Sequence, residues 1–350
     1  MRIPAIKQVQ SYLDREQGVR SARAASIAAR YESSLLAFVA SRSELETASL
    51  FTAQARFPAY SISKTFTAAA VLRLVASGEL QLDAPIGRWV PDIPHGDRIT
   101  VRQCLQHTSG LPDYGDLAEY HTAVRRGERP WTFDEFLART HAERLLFEPG
   151  HGWHYSNIGY MLLRRLIETV RGASYGAVLK GEIFDPLGLC NTAVPETPAD
   201  LGDLTFGPSP YLGGDGEAKE VRSSYDPGWI PAGVVASTAA EVSIFCHSLF
   251  AGRLFPSVLL DRMCEKVPVG SAASHPMFID PGYGLGLMIA ESPCGPLYGH
   301  TGSGPGCSAA AFHFRTGRYP LTVVAFTDGE ETRQAEHIAW IICSNLTAPD

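Results

Sequence analysis

A serine and a lysine stand three positions apart in YSISKTFT, residues 60–67, directly before the alanine- and leucine-rich run of residues 68–80. That run predicts a helix, in which Ser61 and Lys64 would share one face and one turn. A serine hydroxyl becomes a nucleophile only when a neighbouring base, such as a desolvated amine or a phenolate, takes its proton. The free N–H groups at a helix N-terminus favour the negative charge of an acyl-transfer intermediate. The pair could therefore carry out acyl transfer, although a serine at a helix start is most often only a cap.

Two later stretches contain groups that such a serine would need. FEPGHGWHYSNIGYMLL places Tyr155 and Asn157 in a glycine-bounded turn before a predicted helix. YGHTGSGPG places His300, Thr301 and Gly302 at the end of a predicted strand, and small residues follow. Four of these residues also have purely structural interpretations. Tyr155 could be a buried aromatic residue that fills space, and Asn157 could be a helix N-cap. His300 could be an ordinary strand histidine, and Gly302 could form a β-bulge.

The order of the three stretches is more specific than any one of them. S-x-x-K, Y-x-N and H-T-G follow each other with separations of about 90 and about 145 residues. This order resembles the serine β-lactamase and penicillin-binding protein family. The nearest branch is that of class C β-lactamases, DD-peptidases and related esterases, in which tyrosine supplies the second motif. LQHTSGLPDYG (105–115) and PAGVVASTAAEVSIF (231–245) resemble connecting segments of the family, so the resemblance spans residues 55 to 330.

The resemblance implies a division of catalytic roles. Ser61 would be the acylated nucleophile. Lys64 would be the base, or the cation that lowers the pKa of Tyr155, and the sequence leaves this choice open. Tyr155 would pass a proton to the leaving group and then activate water for deacylation.

The same resemblance implies the residues that bind substrate. Asn157 would orient Lys64 and bind the substrate amide. His300, Thr301 and Gly302 would form the strand edge that receives the substrate. The backbone N–H of Ser303 would complete an oxyanion hole with that of the nucleophile.

Two departures from the family pattern shape the expected substrate. The third motif begins with His300 where lysine is commoner, and histidine is mostly neutral at pH 7. The first twenty residues lack the apolar stretch of a signal peptide, so we expect a cytoplasmic protein if Met1 is the natural start. We therefore expect a serine hydrolase of a small ester, an amide or a D-amino-acid peptide. The alternatives are an acyltransferase on the same scaffold and a β-lactam-binding protein that is acylated without turnover.

Composition and missing motifs exclude several other classes. The net charge of -7 and the lack of basic runs argue against nucleic acid, and no apolar run is long enough to predict a membrane span. The seven cysteines are scattered without a C-x-x-C pair, and H-E-x-x-H does not occur. We expect no metal and no cofactor. The partner would be a small ester, amide or peptide, with β-lactams as candidate inhibitors, and the sequence does not define the oligomeric state.

The predicted elements indicate an α+β fold. Helices are expected over residues 4–17, 63–77 and 331–346. Strands are expected at 34–41 and 49–57, which would pair as a hairpin, and at 284–291, 295–300, 308–314 and 321–328. The resemblance implies an antiparallel sheet flanked by helices beside a helical lobe. We expect one β-lactamase-like catalytic domain, with an α/β lobe of residues 1–80 and 281–350, a mainly helical lobe of residues 81–280, and the site between them.

Overall fold

The computed structural model describes residues 2–16, 21–31, 34–42, 51–214, 217–270, 278–315 and 320–347. Strands from both ends of the chain form one antiparallel sheet of eight strands, in the order β2-β1-β10-β9-β8-β7-β6-β5. A separate two-stranded sheet pairs β3 with β4. The strands are β1 Ala24–Tyr31, β2 Ser34–Ser41, β3 Phe57–Pro58, β4 Ala236–Ser237, β5 Val267–Pro268, β6 Ile279–Tyr283, β7 Met288–Glu291, β8 Leu297–Gly304, β9 Cys307–Phe314 and β10 Leu321–Thr327.

The α-helices account for most of the middle of the chain. They are α1 Arg2–Arg15, α2 Ser63–Ala76, α3 Val101–Gln106, α4 Ala118–Arg125, α5 Phe133–Arg139, α6 Asn157–Arg171, α7 Tyr175–Leu179, α8 Asp185–Leu187, α9 Pro210–Gly213, α10 Val221–Ser224, α11 Ala239–Phe250, α12 Ser257–Met263 and α13 Thr332–Thr347. Among those described, none combines the length and the apolar composition that a membrane span requires.

The sheet is covered by helices on both faces, which confirms the expected α+β architecture. Helices α1 and α13 pack against each other and on one face, and α11 packs on the other face. Strands β9 and β10 are buried along their whole length, because both of their faces are covered. The predicted division into two lobes stays a prediction, but α11, from the middle of the chain, lies against the sheet.

The hairpin predicted from residues 34–41 and 49–57 is wrong. Strand β2 pairs instead with β1, in the register Ala28↔Ala37. Residues 49 and 50 lie outside the described residues, residues 51–55 form no strand, and Phe57–Pro58 pairs with Ala236–Ser237. The run AASIAARY has few β-branched residues, so its strand character comes from its place between β2 and β10 and not from its local sequence.

Helix α2 is the central element for the site. It begins at Ser63, directly after the short β3 and one turn of 3₁₀ helix, Tyr60–Ile62. Eleven of its fourteen residues are buried. Tertiary packing therefore stabilises the same helix that the alanine- and leucine-rich sequence favours locally. As predicted, the helix ends just before Gly78, which adopts the left-handed conformation with φ of 79°.

Candidate active site

The side chain of Ser61 projects from the 3₁₀ turn that leads into α2. The preceding residue, Tyr60, is a buried tyrosine with a φ of 43°, a left-handed conformation that is rare for a bulky residue. The hydroxyl of Tyr60 donates to the carbonyl of Pro305 at 2.7 Å, and this bond fixes the turn against the end of β8. The strained backbone therefore holds the serine in one place relative to the sheet.

Strand β8 passes very close to the backbone of this turn. A Cβ atom added at Gly302 would lie 2.4 Å from the carbonyl oxygen of Ala59 and 3.1 Å from the nitrogen of Ser61. Any side chain there would push the strand and the turn apart. The predicted third motif thus reaches the first motif because its glycine has no side chain.

The second motif lies at the start of α6. Ser156 caps this helix by accepting from the N–H of Gly159, and its own N–H donates to Nδ1 of His107 at 3.0 Å. The ring of His107 also lies against the ring of Tyr155, with 4.3 Å between the centroids. These contacts position Tyr155 on one side of the cap and Asn157 on the other.

Two of the three predicted catalytic side chains, Lys64 and Tyr155, lie within hydrogen-bond distance of the third, Ser61. The Oγ of Ser61 lies 3.2 Å from Nζ of Lys64 and 2.9 Å from the hydroxyl of Tyr155. Nζ of Lys64 also donates to Oδ1 of Asn157 at 2.7 Å. A nucleophile in contact with an amine and with a phenol has both a proton acceptor and a proton donor at its oxygen.

Burial changes the proton affinities of the amine and the phenol in opposite directions. The side chain of Lys64 is buried, and desolvation lowers its pKa to about 7, against a smaller opposing effect of Asp113. Desolvation raises the pKa of Tyr155 above its ordinary value, and its hydrogen bond to Ser61 opposes this in part. At neutral pH, Lys64 is thus available as a free amine and Tyr155 as a protonated hydroxyl.

Asp113 fixes the orientation of Asn157, which in turn contacts Lys64. Its carboxylate accepts from the backbone N–H of Asn157 at 2.9 Å and from its side-chain Nδ2 at 3.0 Å. Since the amide nitrogen of Asn157 is held by Asp113, the amide oxygen must face Lys64. Asp113 is itself buried, and desolvation raises its pKa.

The hydrogen bonds of His300 hold its side chain as a neutral imidazole. Its Nδ1 lies 2.6 Å from the carbonyl oxygen of Thr301, which can only accept, so Nδ1 carries the proton. Its Nε2 lies 2.9 Å from the hydroxyl of Tyr283 and accepts from it. Burial, together with a smaller effect of the nearby Lys64, lowers the pKa of His300 to about 3. At neutral pH this side chain brings no positive charge to the strand edge.

Two cavities meet at Ser61, and Ser303 also lines both of them. The larger cavity, of about 650 Å³, contains Tyr155 and Thr301 and is walled mainly by apolar side chains, among them Phe278. Among its described lining residues, none is a lysine or an arginine. The smaller cavity, of about 270 Å³, is walled by tyrosines and contains Lys64, Asn157 and Glu330.

The sequence predicted the residues that meet at Ser61 but not the residues that support them. Asp113 lies in LQHTSGLPDYG, which was recognised only as a connecting segment, and nothing local distinguishes its carboxylate from a surface turn residue. Tyr283 and Glu330 were also missed, because each reaches the site only through the folding of the sheet. The substrate-binding roles of Asn157, His300, Thr301, Gly302 and Ser303 stay predictions.

Metal ligands are not grouped anywhere in the part of the chain that the structure describes. No three histidine, cysteine or carboxylate side chains there are close enough to hold an ion. His154, which stands near Tyr155 in the sequence, instead lies 3.2 Å from the carboxylate of Asp116.

Comparisons with known proteins give the same family as the motifs. The sequence model of the Beta-lactamase family matches residues 11–342. Penicillin-binding protein 4* of Bacillus subtilis (strain 168) is 29% identical over 295 residues, 80% of this chain and 62% of that protein. Esterase EstB of Burkholderia gladioli is 30% identical over 259 residues, 66% of this chain and 65% of that protein. The chain therefore aligns with a little under two thirds of the length of these two relatives.

A solved structure extends the similarity to the whole chain. The D-stereospecific amidohydrolase from Streptomyces sp. is 28% identical in sequence and superposes with a TM-score of 0.80. The superposition covers 99% of this chain and 99% of that protein. The relatives thus include proteins named for ester hydrolysis, for amide hydrolysis and for penicillin binding.

Proposed function

Since this chain belongs to the beta-lactamase family, we propose that it is a serine hydrolase that cleaves small esters or amides through an acyl-enzyme at Ser61. The observation that carries the proposal is the contact of the Ser61 oxygen with Lys64 at 3.2 Å and with Tyr155 at 2.9 Å. Relatives named as an esterase and as an amidohydrolase support the reaction class.

In the proposed acylation, Lys64 is the base. Its lowered pKa leaves a free amine at neutral pH, and this amine takes the proton of Ser61 as Oγ attacks the substrate carbonyl. The N–H groups of Ser61 and Ser303 would hold the oxyanion. Tyr155 gives its proton to the leaving group, so the step ends with an ammonium on Lys64, a phenolate on Tyr155 and the acylated serine.

Deacylation restores the three groups. The phenolate of Tyr155 takes a proton from water, and the resulting hydroxide attacks the acyl-enzyme. When the intermediate collapses, the Ser61 oxygen leaves and takes the proton of the Lys64 ammonium. The nitrogen of Lys64 lies 4.8 Å from the centre of the Tyr155 ring, close enough for its charge to stabilise the phenolate between the two steps.

The larger cavity favours a leaving group that is apolar and uncharged. Tyr155 must reach the leaving group, and it lines this cavity, so the leaving group is placed there. A free carboxylate would find no lysine or arginine among the described lining residues, and His300 is neutral. This supports esters and amides over peptides with a free carboxyl end, and it predicts weak binding of β-lactams that carry a carboxylate.

A labelled fluorophosphonate followed by peptide mapping tests the proposal. We expect label on Ser61, no label on Ser61→Ala, and normal labelling of Ser77→Ala, which changes an exposed serine just beyond the other end of the same helix. We also expect wild-type protein, but not Ser61→Ala, to hydrolyse p-nitrophenyl butyrate. Label on another residue, or ester hydrolysis by Ser61→Ala at the wild-type rate, would refute the proposal.

A further inference from the structure

The smaller cavity must hold the acyl part of the substrate if the function proposed above is right. Tyr155 protonates the leaving group and lines the larger cavity, whereas the smaller cavity shares Ser61 with it but lies on the side of Lys64 and Asn157. A substrate whose carbonyl carbon lies at the Ser61 oxygen therefore extends its acyl part into the smaller cavity.

A carboxylate stands in the wall of this cavity without a cationic partner. Oε1 of Glu330 accepts from Oγ of Ser209 at 2.5 Å and from the N–H of Gly306 at 2.9 Å, and Oε2 accepts from the N–H of Tyr211 at 3.1 Å. All three donors are neutral, and within the described ranges no lysine, arginine or histidine forms an ion pair with this carboxylate. Oε2 keeps the capacity to accept a second hydrogen bond.

The remaining wall suits a cation that is stripped of water. Six tyrosines line the cavity: Tyr60, Tyr114, Tyr120, Tyr160, Tyr211 and Tyr225. Aromatic faces attract an ammonium group through their quadrupoles, and phenol oxygens can accept hydrogen bonds from it. Lys64 also lines the cavity, but the form of Lys64 that acts as base is the uncharged amine, so Lys64 itself brings no fixed positive charge to the cavity of the reactive enzyme.

We propose that Glu330 and the surrounding tyrosines bind an ammonium group in the acyl part of the substrate, so that the preferred substrates are amino-acyl amides or esters with an apolar leaving group. Three neutral donors hold the carboxylate in a fixed position, so little ordering is needed when the ammonium binds. The inference rests on the proposed hydrolase function, because the assignment of the two cavities depends on the role of Tyr155.

A matched pair of substrates tests the inference. Alanine p-nitroanilide, as each enantiomer, is compared with propionyl p-nitroanilide, which differs only by the missing amino group. We expect the wild-type kcat/KM for the better alanine enantiomer to exceed that for the propionyl compound. In Glu330→Gln this ratio should fall by about ten- to a hundredfold, because a hydrogen bond between two charged groups is lost. Ser209→Ala removes one donor to the same carboxylate without removing its charge, and it should keep the ratio.

Other outcomes would overturn the inference. One is a higher wild-type kcat/KM for the propionyl compound than for either alanine enantiomer. The other is an equal fall of kcat/KM for both substrates in Glu330→Gln and in Ser209→Ala, which would mean that Glu330 only stabilises the fold.

Binding to Ser61→Ala, measured by calorimetry, separates the inference from the proposed function. If no substrate is hydrolysed, the function fails, but alanine p-nitroanilide should still bind more tightly than the propionyl compound and lose this advantage when Glu330→Gln is added. Equal binding of the two compounds would refute the inference even if the wild-type protein hydrolyses p-nitrophenyl butyrate.

Discussion

The expected pH dependence of the proposed acylation follows from the burial of a single amine. Desolvation lowers the pKa of Lys64 from the ordinary value of 10.5 to about 7, and only the free amine can take the proton of Ser61. The value of kcat/KM should therefore rise with pH up to about 7 and then level off. It should not fall again within the neutral range, because the pKa of Tyr155, which must stay protonated, is raised.

The magnitude follows from the fraction of free amine. With a pKa of about 7, roughly a tenth of Lys64 is uncharged at pH 6 and roughly a hundredth at pH 5, so kcat/KM should fall tenfold for each pH unit. A lysine with the ordinary value of 10.5 would be uncharged in roughly one molecule in three thousand at pH 7. Burial thus increases the reactive fraction at pH 7 by about a thousandfold.

The neighbours of Lys64 allow the midpoint to be assigned. Burial lowers the pKa of His107 and of His300 well below the neutral range, so neither ring titrates near pH 7. Asp113 raises the pKa of Lys64 through its charge, so Asp113→Asn should move the midpoint to lower pH. The same variant loses the contact that fixes the amide of Asn157, so its plateau rate should also be lower.

The assay is hydrolysis of p-nitrophenyl butyrate from about pH 5 to about pH 9 at constant ionic strength. Absorbance is read at the isosbestic wavelength of p-nitrophenol, because the product itself titrates in this range. A profile that is flat below neutral pH, a midpoint near that of a free lysine, or a shift to higher pH in Asp113→Asn would refute the assignment of Lys64 as the base.

Three further predictions concern single substitutions. Tyr155→Phe should lower kcat/KM for p-nitroanilides by about 10²–10⁴. It should slow fluorophosphonate labelling of Ser61 much less, since fluoride leaves without a proton, and equal losses would contradict its role as proton donor. Gly302→Ala should abolish labelling, because its Cβ would displace the turn that holds the nucleophile, whereas Gly181→Ala, which meets nothing within 4 Å, should label normally. Lys64→Met should stabilise the protein against urea by about 3 kcal/mol more at pH 7 than at pH 10, because the unfolded chain binds more protons between the two pKa values. An equal change in stability at both pH values would contradict the lowered pKa.

Sequence patterns predicted the elements whose local and tertiary preferences agree. The helix after Ser61, the helix at residues 332–347 and the strands at 307–314 and 321–327 were predicted within a few residues of their observed limits. Their apolar residues recur with the period of the element that they form, and burial reinforces the same choice. The pairing of β2 was predicted wrongly, since the pairing partner of a strand is decided by the whole sheet and β1 carries a weak strand signal of its own.

The sequence by itself determined which residues meet at Ser61. The spacing of Ser61 and Lys64 on one helical turn is a local property, and the order of the three motifs indicates a known arrangement of distant segments. Only the tertiary structure decided how these groups are charged and what surrounds them. Proton affinity depends on burial and on neighbours that are remote in the chain, such as Asp113. A carboxylate that has only neutral hydrogen-bond donors, such as Glu330, is recognisable only when the surrounding segments are in place.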